Sequence, residues 1–293
     1  MRRLGQHFLK NSAVIKKIVS LAAPEADETI IEIGAGHGEL TLPLARACEE
    51  AGAKLVAIEK DRELGSRLEV FPPEADLPLA EGFRGKPGTE IIVGDALKLL
   101  PSITYNLTPH PYKLVGNIPY YLTGHLFRIV SELAPKPIRC VFTVHKEVAE
   151  RIAAAPPRMN RLAAAVQFWS APRIAGIVPR SDFAPPPKVD SAILVLEAAN
   201  PPPHTPQDDY FRMVRALFRQ PRKTILNNLR DAPQPAFRFK LLGSGEKEKS
   251  RTQSSSRIGE LLAHAHLAPS LRPGNLSVAD IARIARLFSG VMG

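Results

Sequence analysis

The run Asn117-Ile118-Pro119-Tyr120 places an amide, a rigid turn and an aromatic ring within four positions. These types suit chemistry on an amine conjugated with a purine ring. Such a nitrogen is a poor nucleophile because its lone pair is delocalised into the ring. Acceptors that hold both of its hydrogens push electron density back onto it and aim it at a sulfonium methyl. The Asn117 amide oxygen and a backbone carbonyl fixed by Pro119 can supply those acceptors, and Tyr120 can stack on the base. A strong general base is unnecessary, because the alkylated nitrogen is acidic enough to lose its proton to water. Taken by itself, the same run is also what an Asn-Pro turn with a core tyrosine looks like.

A second group of residues suits a nucleotide-like ligand. Ile31-Glu32-Ile33-Gly34-Ala35-Gly36-His37-Gly38 puts glycines where an apolar run gives way to a helical one. Gly34 and Gly36 let the backbone approach a ligand, and the helix that follows favours negative groups at its start. The spacing is GxGxG rather than the GxGxxG of a dinucleotide fold, which disfavours a nicotinamide cofactor. Glu59 follows the next apolar run, where an acid can accept from ribose hydroxyls. Asp95 ends the third run and could read an adenine amine on the same ligand. Each feature alone also fits a tight turn or a solvated carboxylate. Three of them on successive strands point to one ligand.

Strands must hold these residues, and the apolar runs provide them. Ile30–Ile33, Lys54–Ile58, Glu90–Val93, Tyr112–Val115, Arg139–Val144 and Lys188–Glu197 read as strands. Helical stretches over Ser12–Ala22, Glu39–Glu50 and Asp61–Leu68 accompany them. This alternation predicts an α/β, mostly parallel sheet with helices on both faces, and ligands bind such sheets at the carboxyl ends of the strands. A Pro-rich linker at 199–206 divides a domain at 1–198 from a small all-α C-terminal domain at 207–293. Helical patterns there cover Tyr210–Arg219, Lys223–Arg230, Ile258–His266 and Val278–Phe288, and Gly243–Ser256 reads as a loop.

Composition narrows the partner. The chain has 293 residues and a net charge of +10, and 44% of its residues are hydrophobic, enough to bury a sizeable core. From Ala199 onward there are 15 Lys and Arg against 7 Asp and Glu, so the basic character sits in the last third. Arg212, Arg215 and Arg219 recur at helical spacing on one face, and Arg222 and Lys223 extend the stripe if Pro221 does not turn the chain away. A basic stripe can track an RNA backbone, although most charged stripes are simply solvated faces. Cys48 and Cys140 are far apart, and His264 and His266 do not share a helix face, so no metal site is expected. No membrane span or signal segment is expected either, which makes the cytoplasm the default location.

Five pieces of the chain carry a resemblance that extends over nearly all of it. They are Leu4-Gly5-Gln6-His7-Phe8-Leu9, the Gly34 loop, Asn117-Ile118-Pro119-Tyr120, Phe183-Ala184-Pro185-Pro186-Pro187-Lys188-Val189-Asp190-Ser191, and Arg222-Lys223-Thr224-Ile225-Leu226-Asn227-Asn228-Leu229. The chain resembles the KsgA/RsmA family of rRNA adenine N6,N6-dimethyltransferases. The resemblance implies a Rossmann-like class I methyltransferase sheet, S-adenosyl-L-methionine as cofactor, and two adjacent adenosines near the 3' end of small-subunit rRNA as substrate. It implies an immature small ribosomal subunit as partner and a monomeric enzyme. By matching position, the cofactor residues are His7, Leu9, Gly34, Gly36, Glu59, Asp95 and Asn117. Asn117, Ile118, Pro119 and Tyr120 are implied in catalysis, with Phe183 as a second aromatic clamp on the flipped base. Arg215, Arg219, Arg222 and Lys223 are the expected RNA contacts.

The chain departs from the family pattern in places. His7 stands where many relatives have Asn, His145 replaces a common Gln, Pro221 interrupts the basic stretch, and 232–256 is longer than usual. Judged without the resemblance, Phe183 beside three prolines is as well read as a core anchor. The stretch Gly5–Leu9, preceding any sheet strand, equally reads as a disordered arm. Three other functions are compatible with the residues: a resistance-type methyltransferase of large-subunit rRNA, a non-catalytic RNA-binding or transcription factor that keeps the fold, and a nicotinamide enzyme. The PPPKVDS run and Arg222–Leu229 argue against the first, and the intact Asn117–Tyr120 run against the second.

Overall fold

The computed structural model describes residues 7–69, 88–232 and 251–289. In chain order its elements begin with β1 (Phe8–Leu9), α1 (Ser12–Ala22), β2 (Thr29–Ile33), α2 (Thr41–Ala51), β3 (Lys54–Glu59), α3 (Arg62–Glu69) and β4 (Thr89–Val93). There follow α4 (Ala96–Asn106), β5 (Tyr112–Asn117), α5 (Thr123–Glu132), β6 (Arg139–His145), α6 (Lys146–Ile152) and α7 (Arg161–Gln167). The remainder are β7 (Ser170–Val178), β8 (Phe183–Ala184), β9 (Ser191–Ala198), α8 (Gln207–Leu217), α9 (Ile225–Arg230), α10 (Arg251–His264) and α11 (Val278–Ser289).

Local rules account for the elements that matter to the site. The side chain of Asn11 caps α1 by accepting from Ala13 N at 3.0 Å and Val14 N at 3.4 Å. Within α1, Ile15, Ile18 and Ala22 fall on one stripe and are buried. All five residues of β2 are buried, the signature of a central parallel strand covered on both faces. Seven strands lie in the order β4-β3-β2-β5-β6-β9-β7. Pairing is parallel from β4 to β6, and β9 returns antiparallel to β6. The order reverses at β2, with β3 on one side and β5 on the other, so Gly34 after β2 and Asn117 ending β5 neighbour the crevice where such sheets bind ligands.

Of the segment read as an arm, Gly5 and Gln6 lie outside the described residues, and the part from Phe8 on is tied down. β1 pairs antiparallel with β8, Phe8 opposite Ala184 and Leu9 opposite Phe183. Lys10 N also donates to the Asp182 carbonyl at 2.8 Å. Partners distant in sequence order this stretch, which is why local propensity did not reveal it.

The chain divides into two compact units, one of 1–150 with 171–198 and another of 151–170 with 199–293. The sequence reading placed 151–170 in the first domain. In the second unit Phe168 stacks on Tyr210 at 4.2 Å, and the Tyr210 hydroxyl donates to the Ala164 carbonyl at 2.9 Å. These are long-range contacts of α7 with α8, which no strand-helix alternation records. The Gly243–Ser256 loop also needs correction. Residues 251–256 belong to α10, the only part of that stretch among the described residues. Its Ser-rich composition suggested a loop, and tertiary context overrides such weak propensity.

Candidate active site

One cavity gathers the carboxyl ends of β2, β3, β4 and β5. His7, Leu9, Gly34, Gly36, Glu59 and Asp95 line it, together with Asn117, Ile118, Pro119 and Tyr120. All ten were singled out from the sequence.

The glycine loop is tied to β3. Gly34 N and Ala35 N donate to the Ile58 carbonyl at 2.8 and 3.3 Å. Gly34 has φ +80°, and a Cβ added there would meet nothing within 4 Å. Gly36 has φ +59°, and its Cβ would come within 3.1 Å of the Phe8 ring. Positive φ selects glycine at both positions, and at Gly34 the bare backbone borders open space a ligand can enter.

Glu59 is 3% exposed. One carboxylate oxygen accepts from Gly36 N at 2.9 Å and the other from Asp61 N at 2.8 Å. Asp95 caps α4 by accepting from Leu97 N at 3.1 Å and binds Lys60 at 2.9 Å. The hydrogen bond from the Lys60 ammonium holds the Asp95 carboxyl below the usual carboxylate range. Each carboxylate oxygen can accept more than one hydrogen bond, so both groups retain capacity for a ligand.

Two further acids line the cavity without having been assigned a role from the sequence. Glu32 is fully buried, and one of its oxygens has no hydrogen-bond partner. Burial pushes its pKa up to about 8; a hydrogen bond with Thr41 works against this, while Glu39 and Glu59 add to it. Burial raises the Glu39 carboxyl as well. The signal for Glu32 was present in the sequence: a charged residue in the otherwise apolar strand TIIEI has to serve something.

Asn117 is held in one orientation. Its amide nitrogen donates to the His7 carbonyl at 2.8 Å, and since a carbonyl can only accept, the amide oxygen lies on the other side. The His7 ring is fixed in turn, Nδ1 donating to the Pro185 carbonyl at 2.7 Å. The next turn uses its own polar groups selectively. Ile118 N donates to the Thr143 carbonyl at 3.0 Å, and the Pro119 carbonyl accepts from Leu122 N at 2.9 Å. Of the two carbonyls beside the Pro119 ring, that of Pro119 is thus engaged, while that of Ile118 accepts no hydrogen bond among the described residues. The Tyr120 hydroxyl meets Ser191 Oγ at 3.0 Å, and burial raises its pKa.

Phe183 is not with them. It is 1% exposed, packed in the core with Leu9, Ile18 and Val178, and does not line the cavity. The residue expected as a second clamp on a base thus sits in the core, on β8 opposite Leu9 of β1. The basic residues form a separate group in the second unit. Arg215, Arg219, Arg222 and Lys223 are all exposed. Arg219 donates to the Asp231 carbonyl at 2.6 Å, and Lys223 lies 3.5 Å from the Asp231 carboxylate. The turn containing Pro221 is closed by Lys223 N donating to the Gln220 carbonyl at 2.9 Å. Buried Asn228 clamps it through the Gln220, Lys223 and Thr224 carbonyls.

A seven-stranded sheet of this order, with its cavity at the switch of strand order, defines a Rossmann-like methyltransferase fold. The pattern of the ribosomal RNA adenine dimethylase family matches residues 1–254, and the chain belongs to that family. It is an S-adenosyl-L-methionine-dependent rRNA adenine dimethyltransferase. Among similar proteins, ribosomal RNA small subunit methyltransferase A of Dehalococcoides mccartyi (strain CBDB1) is 35% identical over 258 residues, spanning 86% of this chain and 83% of the relative. The protein of the same name from Chromohalobacter salexigens is 32% identical over 297 residues, 97% of this chain and 89% of that one. A crystal structure of a dimethyladenosine transferase from Plasmodium falciparum superimposes with a TM-score of 0.72 at 24% identity, covering 95% of this chain and 96% of the other. The 23S rRNA methyltransferase ErmE gives 0.67 at 24% identity, covering 96% and 99%. Both share the fold. Among the described residues no helix is long and apolar enough to cross a membrane.

Proposed function

We propose that the enzyme modifies two adjacent adenosines near the 3' end of small-subunit rRNA, acting as a monomer on the immature small subunit in the cytoplasm. The observation that carries the site assignment is the orientation of Asn117, whose amide nitrogen is taken by the His7 carbonyl, so that its oxygen is turned away from His7 in a cavity that Ile118, Pro119 and Tyr120 also line. Relatives named for the small subunit support the choice of RNA.

The cavity fits the cofactor chemically. Glu32, Glu39, Glu59 and Asp95 line it against one cation, Lys60, which is already paired. Burial disfavours charge on Glu32 and Glu39 in the empty cavity, and a ligand bearing a sulfonium and an ammonium would offset that by favouring their ionised forms, the orphaned Glu32 oxygen then serving as a buried acceptor. Glu59 takes the ribose, the bare backbone at Gly34 and Gly36 admits the ligand, and His7 and Leu9 close the cavity from the N-terminal side. When bound, S-adenosyl-L-methionine supplies a methyl group on a positively charged sulfur.

Asn117 and the Ile118 carbonyl accept the two amine hydrogens of a flipped adenine while Tyr120 stacks on its ring. So held, the amine lone pair is aimed at the methyl group that the cofactor would supply. The surplus proton leaves the alkylated nitrogen for water. A second round on the monomethylated amine, with a fresh cofactor, completes dimethylation. Arg215, Arg219, Arg222 and Lys223 contact phosphates away from the reacting atoms.

The test is mass spectrometry of RNA after reaction with immature small subunits or with large-subunit RNA. Two neighbouring dimethyladenosines in the small-subunit RNA are expected. Methylation confined to large-subunit RNA would replace this reading with the resistance-type one.

A further inference from the structure

Tyr120 is supported from outside the cavity. His145, the last residue of β6, lies tilted against its ring with centroids 3.3 Å apart and planes inclined by 39°. Ser191 of β9 pairs with His145 across the strands, is fully buried, and holds the Tyr120 hydroxyl. Tyr120 lines the cavity, whereas neither His145 nor Ser191 does. One partner therefore backs the ring and the other fixes its tip, while the His7 ring, which lines the cavity, stands 5.6 Å from it with the planes inclined by 31°.

We propose that His145 is a positioning residue for the target base: as the neutral imidazole it backs the Tyr120 platform, and protonation unseats it and sets an acid limit on methyl transfer. This rests on the reading that Tyr120 stacks the target adenine.

Burial pulls His145 below the usual histidine range, and His7 acts in the same direction, against the carboxylate of Glu147. The charged and titratable groups around it are Glu147 and Lys146 at the start of α6, His7 on the N-terminal strand, the Tyr120 phenol, and Asp190 beside Ser191. The Asp190 carbonyl takes Lys146 N at 3.1 Å and its carboxylate takes Arg180 N at 3.0 Å. Because the seat disfavours the imidazolium, linkage requires that protonation disfavour the seat. The charged ring regains hydration by leaving, and the Tyr120 ring loses its support. Only a group that titrates can couple the platform to pH in this way.

The experiment follows single-turnover methyl transfer at saturating S-adenosyl-L-methionine from about pH 5 to about pH 8, alongside ring NMR of His145 in the free protein. The wild type should lose activity about tenfold per pH unit below a midpoint equal to the NMR midpoint of His145. His145→Ala should lower turnover at neutral pH by about tenfold or more through loss of the platform. His145→Gln, with a flat group that does not titrate, should recover part of that loss and lack the acid limb. An acid limb of unchanged midpoint in His145→Gln would overturn the proposal, as would a kinetic midpoint that does not match the NMR one. Tyr120→Ala separates the two layers: if it methylates normally, the platform reading itself fails. If it is impaired while His145→Gln keeps the limb, only the role of His145 falls.

Discussion

Gly36 N donates to Glu59 at 2.9 Å, tying the loop after β2 to the end of β3. The other Glu59 oxygen takes Asp61 N, so this acid shapes the cavity in addition to the ribose contact proposed for it. Charged hydrogen bonds of this kind contribute about 1.5–3 kcal/mol each, and Glu59→Ala should weaken cofactor binding by about tenfold or more. Glu59→Gln should not be silent either. One of its two positions would become an N–H₂ facing a backbone N–H, and the loop should lose about 1–3 kcal/mol of support. Calorimetry of cofactor binding and thermal melting of both variants check this; full affinity in a folded Glu59→Ala would remove the ribose role.

Glu32 gives the fold a pH dependence whose sign is opposite to that of a salt-bridged carboxylate. Burial, with Glu39 and Glu59 adding to it, raises its pKa from 4.5 to about 8. Between those values the native state holds a proton that the unfolded state has released, so this group makes stability fall as pH rises. Glu32→Gln keeps the shape and removes the titration. In cofactor-free protein the variant should gain on the wild type by on the order of 3 kcal/mol between about pH 5 and about pH 7.5. Denaturant unfolding at the two pH values measures the difference, in which the other titrating groups cancel. A constant difference would mean that Glu32 is ionised in its seat.

What the sequence disclosed was mostly what neighbours in the chain determine. Asn117, Glu59 and Asp95 were legible because each ends an apolar run, and strand ends in such sheets face one edge. Ser12–Ala22 was read to the residue, its Asn cap and apolar stripe being local features. The rest depends on partners far away in sequence. Leu9 and Phe183 are buried by pairing with each other's strands, His7 is fixed by Pro185 and Asn117, and Tyr120 is backed by His145 and Ser191. Residues 151–170, read with the first domain, group with the second unit for the same reason. Nothing in strand-helix alternation says that Ala164 will meet Tyr210.

The basic stripe is not uniform in what it can offer to RNA. Arg212 pairs with Asp209, while Arg219 and Lys223 both reach Asp231. Arg215 and Arg222 are exposed and make no such bonds among the described residues. Binding to phosphate releases counterions, about one for each contact made. Arg215→Ala and Arg222→Ala should each reduce the slope of log K against log salt by about 1, and Arg212→Ala by less. Filter binding across a salt series reads the slopes, and equal effects at all three positions would show that the internal pairs do not restrain their arginines.

Asn117 combines orientation and chemistry in one side chain. The bond from its nitrogen to the His7 carbonyl turns its oxygen to the side proposed to meet the reacting amine. Asn117→Ala removes that acceptor and leaves the strand end and the Pro119 turn in place. Losing one preorganised group at a reacting centre costs on the order of a hundredfold in rate. Asn117→Asp keeps an oxygen but loses the donor, so a carboxylate would face the His7 carbonyl, be repelled, and swing away from its aim. It should therefore fall below the wild type as well. Tyr120→Ala should instead weaken capture of the base by about 1–3 kcal/mol. Because the proposed phosphate contacts lie on other residues, RNA binding should survive all three changes. Single-turnover methylation and filter binding on the same small-subunit particles separate the two effects. Near-normal turnover in Asn117→Ala would reduce the run to a turn and transfer the activation of the amine to the Ile118 carbonyl alone.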